Sequence, residues 1–244
     1  MTERYNLDLH CHLLWGVDDG ARDSETMRAM LDMAYRDGTR MLCFTPHYHP
    51  GYYGDNRAQT DAAFAEAQAY AAERYPELAL GLGNELHYDA GAAEWLRAGE
   101  ARTLCGSRYA LVDFRFGESA YTIDRAMAQV LSLGYTPVLA HVERYHALHG
   151  KLRDVEAMMA RGVLMQLDAQ SVLGDFGAAE RRMARAMLKR GMADLVCSDG
   201  HDLHSRPPVR SACRQLIEKK YGEEYAELLF WRNPGRIRDD RTVR

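Results

Sequence analysis

The 244-residue sequence predicts a single α/β domain in which about seven buried strands alternate with helices. Three observations predict it. Short, nearly continuous apolar runs such as "ADLVC" (193–197) recur along the chain and fit strands covered on both faces. Between them lie stretches whose apolar residues return every three or four positions, the period of a helix. No repeat, low-complexity tract or linker interrupts the alternation, so residues 1–244 read as one domain. Such alternation implies parallel pairing, and with it a barrel or a wound sheet.

Taken in order, "YNLDLHC" (5–11) alternates like a strand. A helix follows over 23–38: Met27, Met30, Leu31 and Ala34 share a face, Asp23 stands at the N-cap and Gly38 stops the last turn. "RMLCFTPH" (40–47) is the second strand and Ala58–Arg74 the second helix. "LALGLGNE" (78–85) and "RYALVDF" (108–114) are strands three and four, with a short helix at Ala92–Leu96 between them. A helix over 118–134 leads to "TPVLAH" (136–141), a helix over Leu152–Arg161 to "VLMQLDA" (163–169), and a helix over Gly177–Arg190 to "ADLVCSD" (193–199). Helices over Val209–Tyr221 and Glu223–Phe230 complete the chain.

Composition excludes several classes. The formal net charge is −4 and no basic stripe is visible, which argues against a nucleic-acid reader. Nowhere do 18 apolar residues run together, so no membrane insertion is expected, and the polar opening "MTERYNLDLH" reads as fold rather than targeting segment. The five cysteines (Cys11, Cys43, Cys105, Cys197, Cys213) are odd in number and show no C-x-x-C pairing, an expectation of reduced thiols in a cytoplasmic protein. A cysteine-based phosphatase loop needs arginine six residues after its nucleophile. The residues found there are Val17, His49, Leu111, Leu203 and Lys219, so no thiolate mechanism is expected.

The chemistry gathers at the carboxyl ends of the strands. Strand one ends in His10 and His12, followed by Asp18 and Asp19; strand two leads to His47; strand three to Glu85; strand four to Asp113; strand five to His141; strand seven to Asp199 and His201. Strand six, ending in Gln166 and Asp168, is the weakest. In parallel α/β barrels the loops after the strands converge on one face, so these distant residues would share one mouth. A lone histidine at a strand end is usually just a hydrogen-bonded polar residue, but six of seven strands obeying one rule points to a metal site. Nine side chains, five imidazoles and four carboxylates (His10, His12, Asp19, His47, Glu85, Asp113, His141, Asp199, His201), overfill a single ion. They favour two or three divalent ions of manganese, iron or zinc. Cys11, between two of the histidines, turns to the opposite face.

The set "DLHCH", "VDDGA", "TPH", "GNE", "RYALVDF", "AHVERY", "SDGHD", "RPP" and "NPGRI" resembles, over nearly the whole chain, the bacterial manganese-dependent tyrosine-protein phosphatases of the polymerase-and-histidinol-phosphatase (PHP) superfamily. The resemblance implies a distorted (β/α)7 TIM-like barrel with three Mn²⁺ ions, acting on a phosphotyrosine protein in capsule or exopolysaccharide synthesis. It implies a bacterial tyrosine autokinase as partner, and the nine residues above stand at its ligand positions. Asp113 occupies a place where the family usually has Glu, which withdraws the carboxylate by about one methylene, roughly 1.5 Å. Arg144 and Arg206 match the arginines that hold the substrate phosphate, a task that suits a planar bidentate guanidinium. In the loop "TPHYHPGYYGDN", Tyr48 and His49, with Tyr52 and Tyr53, are candidates to line a groove for a phenyl ring.

Two other functions stay open on the sequence: a phosphatase for a small metabolite such as histidinol phosphate or a nucleotide, and a non-catalytic scaffold that keeps its metals for stability. Self-association into a homo-oligomer is also open.

Overall fold

A computed structural model describes residues 5–244; Met1–Arg4, part of the polar opening, lie outside the described residues. Strand β1 (Asn6–Asp8) leads through helix α1 (Ser24–Arg36) to β2 (Thr39–Phe44) and β3 (His47–Tyr48). Helices α2 (Pro50–Tyr53) and α3 (Arg57–Arg74) precede β4 (Ala79–Leu82) and β5 (Glu85–His87). After α4 (Ala92–Ala98) come β6 (Tyr109–Asp113), α5 (Ala120–Ser132), β7 (Thr136–Leu139), α6 (Leu152–Ala160) and β8 (Leu164–Asp168). The chain ends with α7 (Ala169–Leu173), α8 (Ala178–Lys189), β9 (Leu195–Cys197), α9 (Ser211–Tyr221), α10 (Glu223–Glu227) and α11 (Asn233–Arg238).

Local chemistry explains the helices that cover the sheet. In α1 the Asp23 Oδ1 accepts the Thr26 N–H at 2.8 Å, and Met27, Met30, Leu31 and Ala34 form its buried face. In α5 Ser119 caps the Thr122 N–H, and Ile123, Ala126, Met127 and Val130 are buried. The helix expected over Glu223–Phe230 is shorter: it ends at Glu227, and a π-helical turn over Leu228–Arg232 joins it to α11. That wider turn lets the adjacent Leu229 and Phe230 both enter the core.

All ladder pairs among the described residues are parallel, in the orders β1-β2-β4 and β3-β5-β6-β7-β8-β9. The expected second and third strands are each broken in two. Pro46 has no N–H to give a ladder and separates β2 from β3. Gly83 separates β4 from β5, and a Cβ there would lie 3.1 Å from the Thr103 carbonyl oxygen. The sheet curls until its ends meet: Cys11 bridges Gly200 in parallel, His12 N–H donates to Gly200 O at 2.8 Å, and Asp199 N–H to His10 O at 3.0 Å.

Alternation along the strands then sorts the side chains. Met41, Leu111, Val138, Leu164 and Leu195 pack on one face of the curled sheet with Leu7 and Ile237. Their neighbours Val112, Leu139, Met165 and Val196 pack on the other face, with the residues of α5 and α8. Leu42 and Phe44 likewise pack against the buried face of α1. The inward phase, carried past the last core residues, positions the site on most strands; on the first it slips between the inward Leu9 and His10, and after Ala140 it breaks at His141.

Candidate metal centre

Glu85, Asp113, Gln166 and Asp168 occupy inward positions of their strands, two residues apart or in register with inward neighbours, and His47 pairs in register with Glu85. On the first strand His10 and His12 face the centre, while Cys11 packs with Leu42 and α1 on the opposite side. The loop after His12 returns onto it: Ala21 N–H donates to His12 O at 3.1 Å, and a Cβ on Gly20 would fall 1.9 Å from that oxygen. Only glycine fits there, and the fold-back delivers Asp18 and Asp19. Two other inward residues need unusual backbone: His141 has φ 29° and Asp199 φ 51°, in the left-handed region that non-glycine residues avoid. Such strain persists where the surroundings hold it, commonly at functional sites.

Hydrogen bonds settle which ring nitrogens point inward. His12 Nδ1 lies 2.7 Å from Asp18 Oδ2, a pure acceptor, so Nδ1 carries the hydrogen. His10 Nδ1 lies 3.1 Å from Gln166 Oε1. That atom is the oxygen, since the His141 N–H donates to it at 2.7 Å while Gln166 Nε2 donates to Asp168 Oδ1 at 2.9 Å. In the neutral rings both Nε2 atoms are therefore bare lone pairs, yet they lie 3.2 Å apart. Carboxylate oxygens crowd the same point, with Glu85 and Asp199 at 3.2–3.4 Å from these nitrogens. Acceptors converging on acceptors in a dry interior are stable only around positive charge.

Four overlapping donor sets have ligand atoms all within 4.8 Å of one another: His12, Asp19, His47 and His201; His10, His12 and Glu85; His10, His141 and Asp199; His47, Glu85 and Asp113. All nine expected ligands thus come together. His201 Nδ1 donates to Asp199 O at 2.8 Å, and its Nε2 is buried without a hydrogen-bond partner among the described residues. A mixed imidazole and carboxylate set lacking thiolate fits borderline divalent ions such as manganese, iron or zinc.

The electrostatics agree. Burial alone would lower the histidine pKa values, but the carboxylates of Glu85 and Asp199 outweigh it and push His10 up to about 10. His47 also rises to about 10, held by Glu85 against the same desolvation. Glu85 and Asp199, despite burial, are held well below the usual carboxylate range by the facing imidazoles. Without a metal, the facing carboxylates favour positive charge on these rings.

Arg144 and Arg206 sit at the rim. Both guanidinia donate to Asp199 Oδ2, Arg144 Nη1 from 3.1 Å, while Oδ1 of the same carboxylate faces His10 and His12. Arg144 Nη1 also donates to Asp168 Oδ2 at 3.3 Å. His49 lies beside the centre: its ring is 4.5 Å from that of His87 and lines a cavity of about 500 Å³ with Asp89, Phe114 and Arg115. Tyr53 stacks on His47 at 5.5 Å, whereas Tyr52 is exposed. Tyr48 does not line the mouth. It is 1% exposed, packs edge-on against Trp95 and donates to Glu100 at 3.2 Å. Since β3 runs through His47 and Tyr48, an inward His47 sends Tyr48 outward to the core.

The sequence places the supporting residues at the strand ends but gives them no role. Asp18 orients His12, Gln166 orients His10 and anchors His141, and His87 Nδ1 meets Asp113 Oδ2 at 2.9 Å. Behind them Glu143 accepts the Asp168 N–H at 2.9 Å, and burial together with Asp168 pushes its pKa up to about 8. For Gln166 and Asp168 the signal was their place at the end of strand six.

Fold and site together define a class: a parallel α/β protein whose strand ends gather multi-histidine, multi-carboxylate donor sets able to hold metal ions. The model of the family described as "Capsular polysaccharide synthesis, CpsB/CapC" matches residues 6–239, and the chain belongs to that family. It is 34% identical over 242 residues to the tyrosine-protein phosphatase CpsB of Streptococcus pneumoniae, covering 97% of this chain and 100% of that one. It is 25% identical to the tyrosine-protein phosphatase YwqE of Bacillus subtilis, over 91% of this chain and 88% of that one. A crystal structure from work on YwqE and CpsB, described as unique metal-dependent tyrosine phosphatases, superposes with a TM-score of 0.89 at 24% identity, covering 98% and 96% of the two chains. At that identity the superposition speaks for the fold. The Escherichia coli phosphotriesterase homology protein shares the fold more distantly, with a TM-score of 0.58 at 15% identity, covering 97% and 99%.

Proposed function

We propose that the protein is a metal-dependent phosphomonoesterase that dephosphorylates protein phosphotyrosine in capsule or exopolysaccharide synthesis, its substrate a tyrosine autokinase. The relatives named tyrosine-protein phosphatases, at up to 34% identity over nearly the full chain, support this reading. The observation that carries it is the pair of lone-pair nitrogens, His10 Nε2 and His12 Nε2, 3.2 Å apart among carboxylates. The ligands are His10, His12, Asp19, His47, Glu85, Asp113, His141, Asp199 and His201, for three ions, with Mn²⁺ the native metal. When bound, the ions supply positive charge at a phosphoryl group and acidify water near neutral pH.

The chain's own residues do the rest. Arg144 and Arg206 bind the phosphate through their N–H edges and offset the charge that grows on its oxygens. Asp199 keeps the two guanidinia adjacent, so the grip is formed before substrate arrives. Asp18, Gln166 and Asp199 O hold the imidazole tautomers of His12, His10 and His201. His49 and Tyr53 border the entrance. We read the nine short strands as seven barrel strands, the second and third each broken once, giving a (β/α)7 barrel closed by the Cys11–Gly200 bridge. A cytoplasmic location suits a chain in which no described helix is long and apolar enough to cross a membrane.

Turnover of a phosphotyrosine peptide, before and after chelation and after re-addition of Mn²⁺, tests the reading. Chelation abolishes activity, Mn²⁺ restores it, and Arg144→Ala and Arg206→Ala each lower kcat/KM by at least about 100-fold, as loss of a charged transition-state contact does. Iodoacetamide leaves turnover intact: Cys11, Cys43, Cys197 and Cys213 are buried with thiols pushed up by that burial, and Cys105, half-buried with its thiol lowered by the contact with Cys43, belongs to none of the donor sets. Loss of activity on alkylation alone, or a preference for a small metabolite by orders of magnitude, refutes it.

A further inference from the structure

Arg144 lies between two aromatic rings. Its Cζ is 4.2 Å from the centroid of Phe116 and 4.6 Å from that of Phe176. The rings arrive from separate loops, Phe116 between β6 and α5 and Phe176 between α7 and α8. Phe116 also stands edge-on to the imidazole of His141, centroids 5.7 Å apart at 78°. It is one of few large apolar side chains left open to solvent, 39% exposed, and it sits at the rim of the metal centre.

The geometry divides the guanidinium by direction. Rings attract a cation on its flat faces and leave the N–H edge free. Of that edge, Nη1 is engaged by Asp168 and Asp199; among the described residues no hydrogen bond is made by Nε or Nη2. A guanidinium tied at one nitrogen can still swing about it. Two flanking rings remove that swing and aim the free edge at the mouth. The phenyl ring of Phe116 is open beside that edge, and the leaving group of an aryl phosphate held by Arg144 is placed to pack on it.

We propose that Phe116 and Phe176 are positioning residues that clamp the Arg144 guanidinium, and that Phe116 also selects aryl over alkyl phosphate esters by packing on the substrate ring. This rests on the reading of Arg144 as a phosphate-binding group. Stacking and cation–π contacts of this size correspond to rate or affinity changes of about 3- to 10-fold each.

The test uses the full chain loaded with Mn²⁺ and one peptide carrying either phosphotyrosine or phosphoserine, with inorganic phosphate as competitive inhibitor. Phe176→Leu is expected to weaken phosphate inhibition by about 3- to 10-fold and to lower kcat/KM equally for both esters. Phe116→Leu lowers phosphotyrosine kcat/KM by about 10-fold, phosphoserine by less than about 3-fold, and Phe116→Trp restores the preference. In an Arg144→Ala background Phe176→Leu has no further effect. Melting temperature accompanies each variant; should a leucine variant fail to fold, Phe116→Met is compared with Phe116→Trp, and equal phosphotyrosine turnover of those two overturns the proposal. Both leucine variants within about twofold of the parent on both esters, with Arg144→Ala strongly impaired, overturn the clamp and leave the phosphate grip standing. Arg144→Ala without effect overturns the grip itself, and the clamp with it.

Discussion

His12 Nδ1 and Asp18 Oδ2 lie 2.7 Å apart, and that contact decides which face of the imidazole looks into the metal centre. The same carboxylate accepts the His47 N–H at 3.0 Å and, through Oδ1, the Gly20 N–H at 3.0 Å. Asp18→Asn keeps the size but replaces one acceptor by an amide NH₂. The backbone donors stand one on each oxygen, so either orientation of the amide sets its NH₂ against the N–H of Gly20 or of His47, and the charged acceptor that fixes the His12 ring is lost. Metal affinity is expected to fall by about 10- to 100-fold, the usual loss when a ligand's outer partner goes. Calorimetric titration of metal-stripped protein with Mn²⁺, at unchanged far-UV circular dichroism, checks it; undiminished affinity would show the contact to be ornamental.

Gln166 serves two histidines, accepting from His10 Nδ1 and from the His141 N–H while donating to Asp168. Gln166→Leu leaves three buried partners unsatisfied at about 1–3 kcal/mol each before relaxation. A stability loss of about 2–4 kcal/mol is expected, with weaker metal uptake, and urea unfolding of the stripped and loaded protein measures both. Gln166→Glu should keep the acceptor and recover the bond to His10, but it sets a new carboxylate against Asp168.

Most of the candidate ligands are legible in the sequence for a physical reason: they close apolar runs, and parallel strands bring such ends together. Glu85 and Asp113 need nothing more. Asp18 is illegible beside Asp19, since only the fold-back at Gly20 turns one to His12 and leaves the other half-exposed, facing His47 and His201. Alternation from His47 already implied that Tyr48 faces the core, but proline at position 46 makes the segment look like loop. His141 was found by its place at a strand end. Its inward direction comes from a positive φ that pattern reasoning cannot supply.

The carboxylates facing His10 and His47 give the metal-free protein a pH dependence of definite sign. His10 and His47 rise to about 10 in the folded state because Glu85 and its neighbours overcome desolvation. Groups raised above their unfolded value of about 6.5 contribute stability that is complete below that pH and is lost as pH climbs toward 10. The slope is at most about 1.4 kcal/mol per pH unit for each group. The chelated protein should therefore melt at progressively lower temperature from pH 7 to 10. Divalent ions compete with these protons, so the stabilisation on adding Mn²⁺ should widen over the same window. Thermal scans at several pH values with and without metal check both limbs.

Tyr48 separates packing from catalysis. Tyr48→Phe removes one hydrogen bond, the 3.2 Å contact to Glu100, and should leave turnover unchanged and stability within about 1 kcal/mol. Tyr48→Ala opens a cavity beside Trp95 and should cost about 3–5 kcal/mol. Denaturation midpoints and phosphotyrosine turnover read the two effects. A Tyr48→Phe protein that folds normally but loses activity would return this ring to the substrate site.

Asp113 tests how the ions are shared. Its carboxylate is shorter than glutamate, yet it is fixed on both oxygens: Tyr145 OH donates to Oδ1 at 3.3 Å, and His87 Nδ1 holds Oδ2 at 2.9 Å. So fixed, it still comes within ligand range of His47 and Glu85, with His141 Nε2 at 3.6 Å. The set formed by His12, Asp19, His47 and His201 does not use it. Asp113→Ala should therefore lower the bound-metal count by one rather than empty the centre. Buried Tyr145 loses its acceptor, at about 1–3 kcal/mol, and half-buried His87 loses one that water can replace, so the variant is destabilised but folded. Activity should drop by at least about 10-fold, because a missing ion removes positive charge from the phosphoryl group. Asp113→Glu, which reaches further by one methylene, should retain the full count. Metal analysis after loading and dialysis decides: an Asp113→Ala protein with the parent stoichiometry would mean that Asp113 only braces His87 and Tyr145.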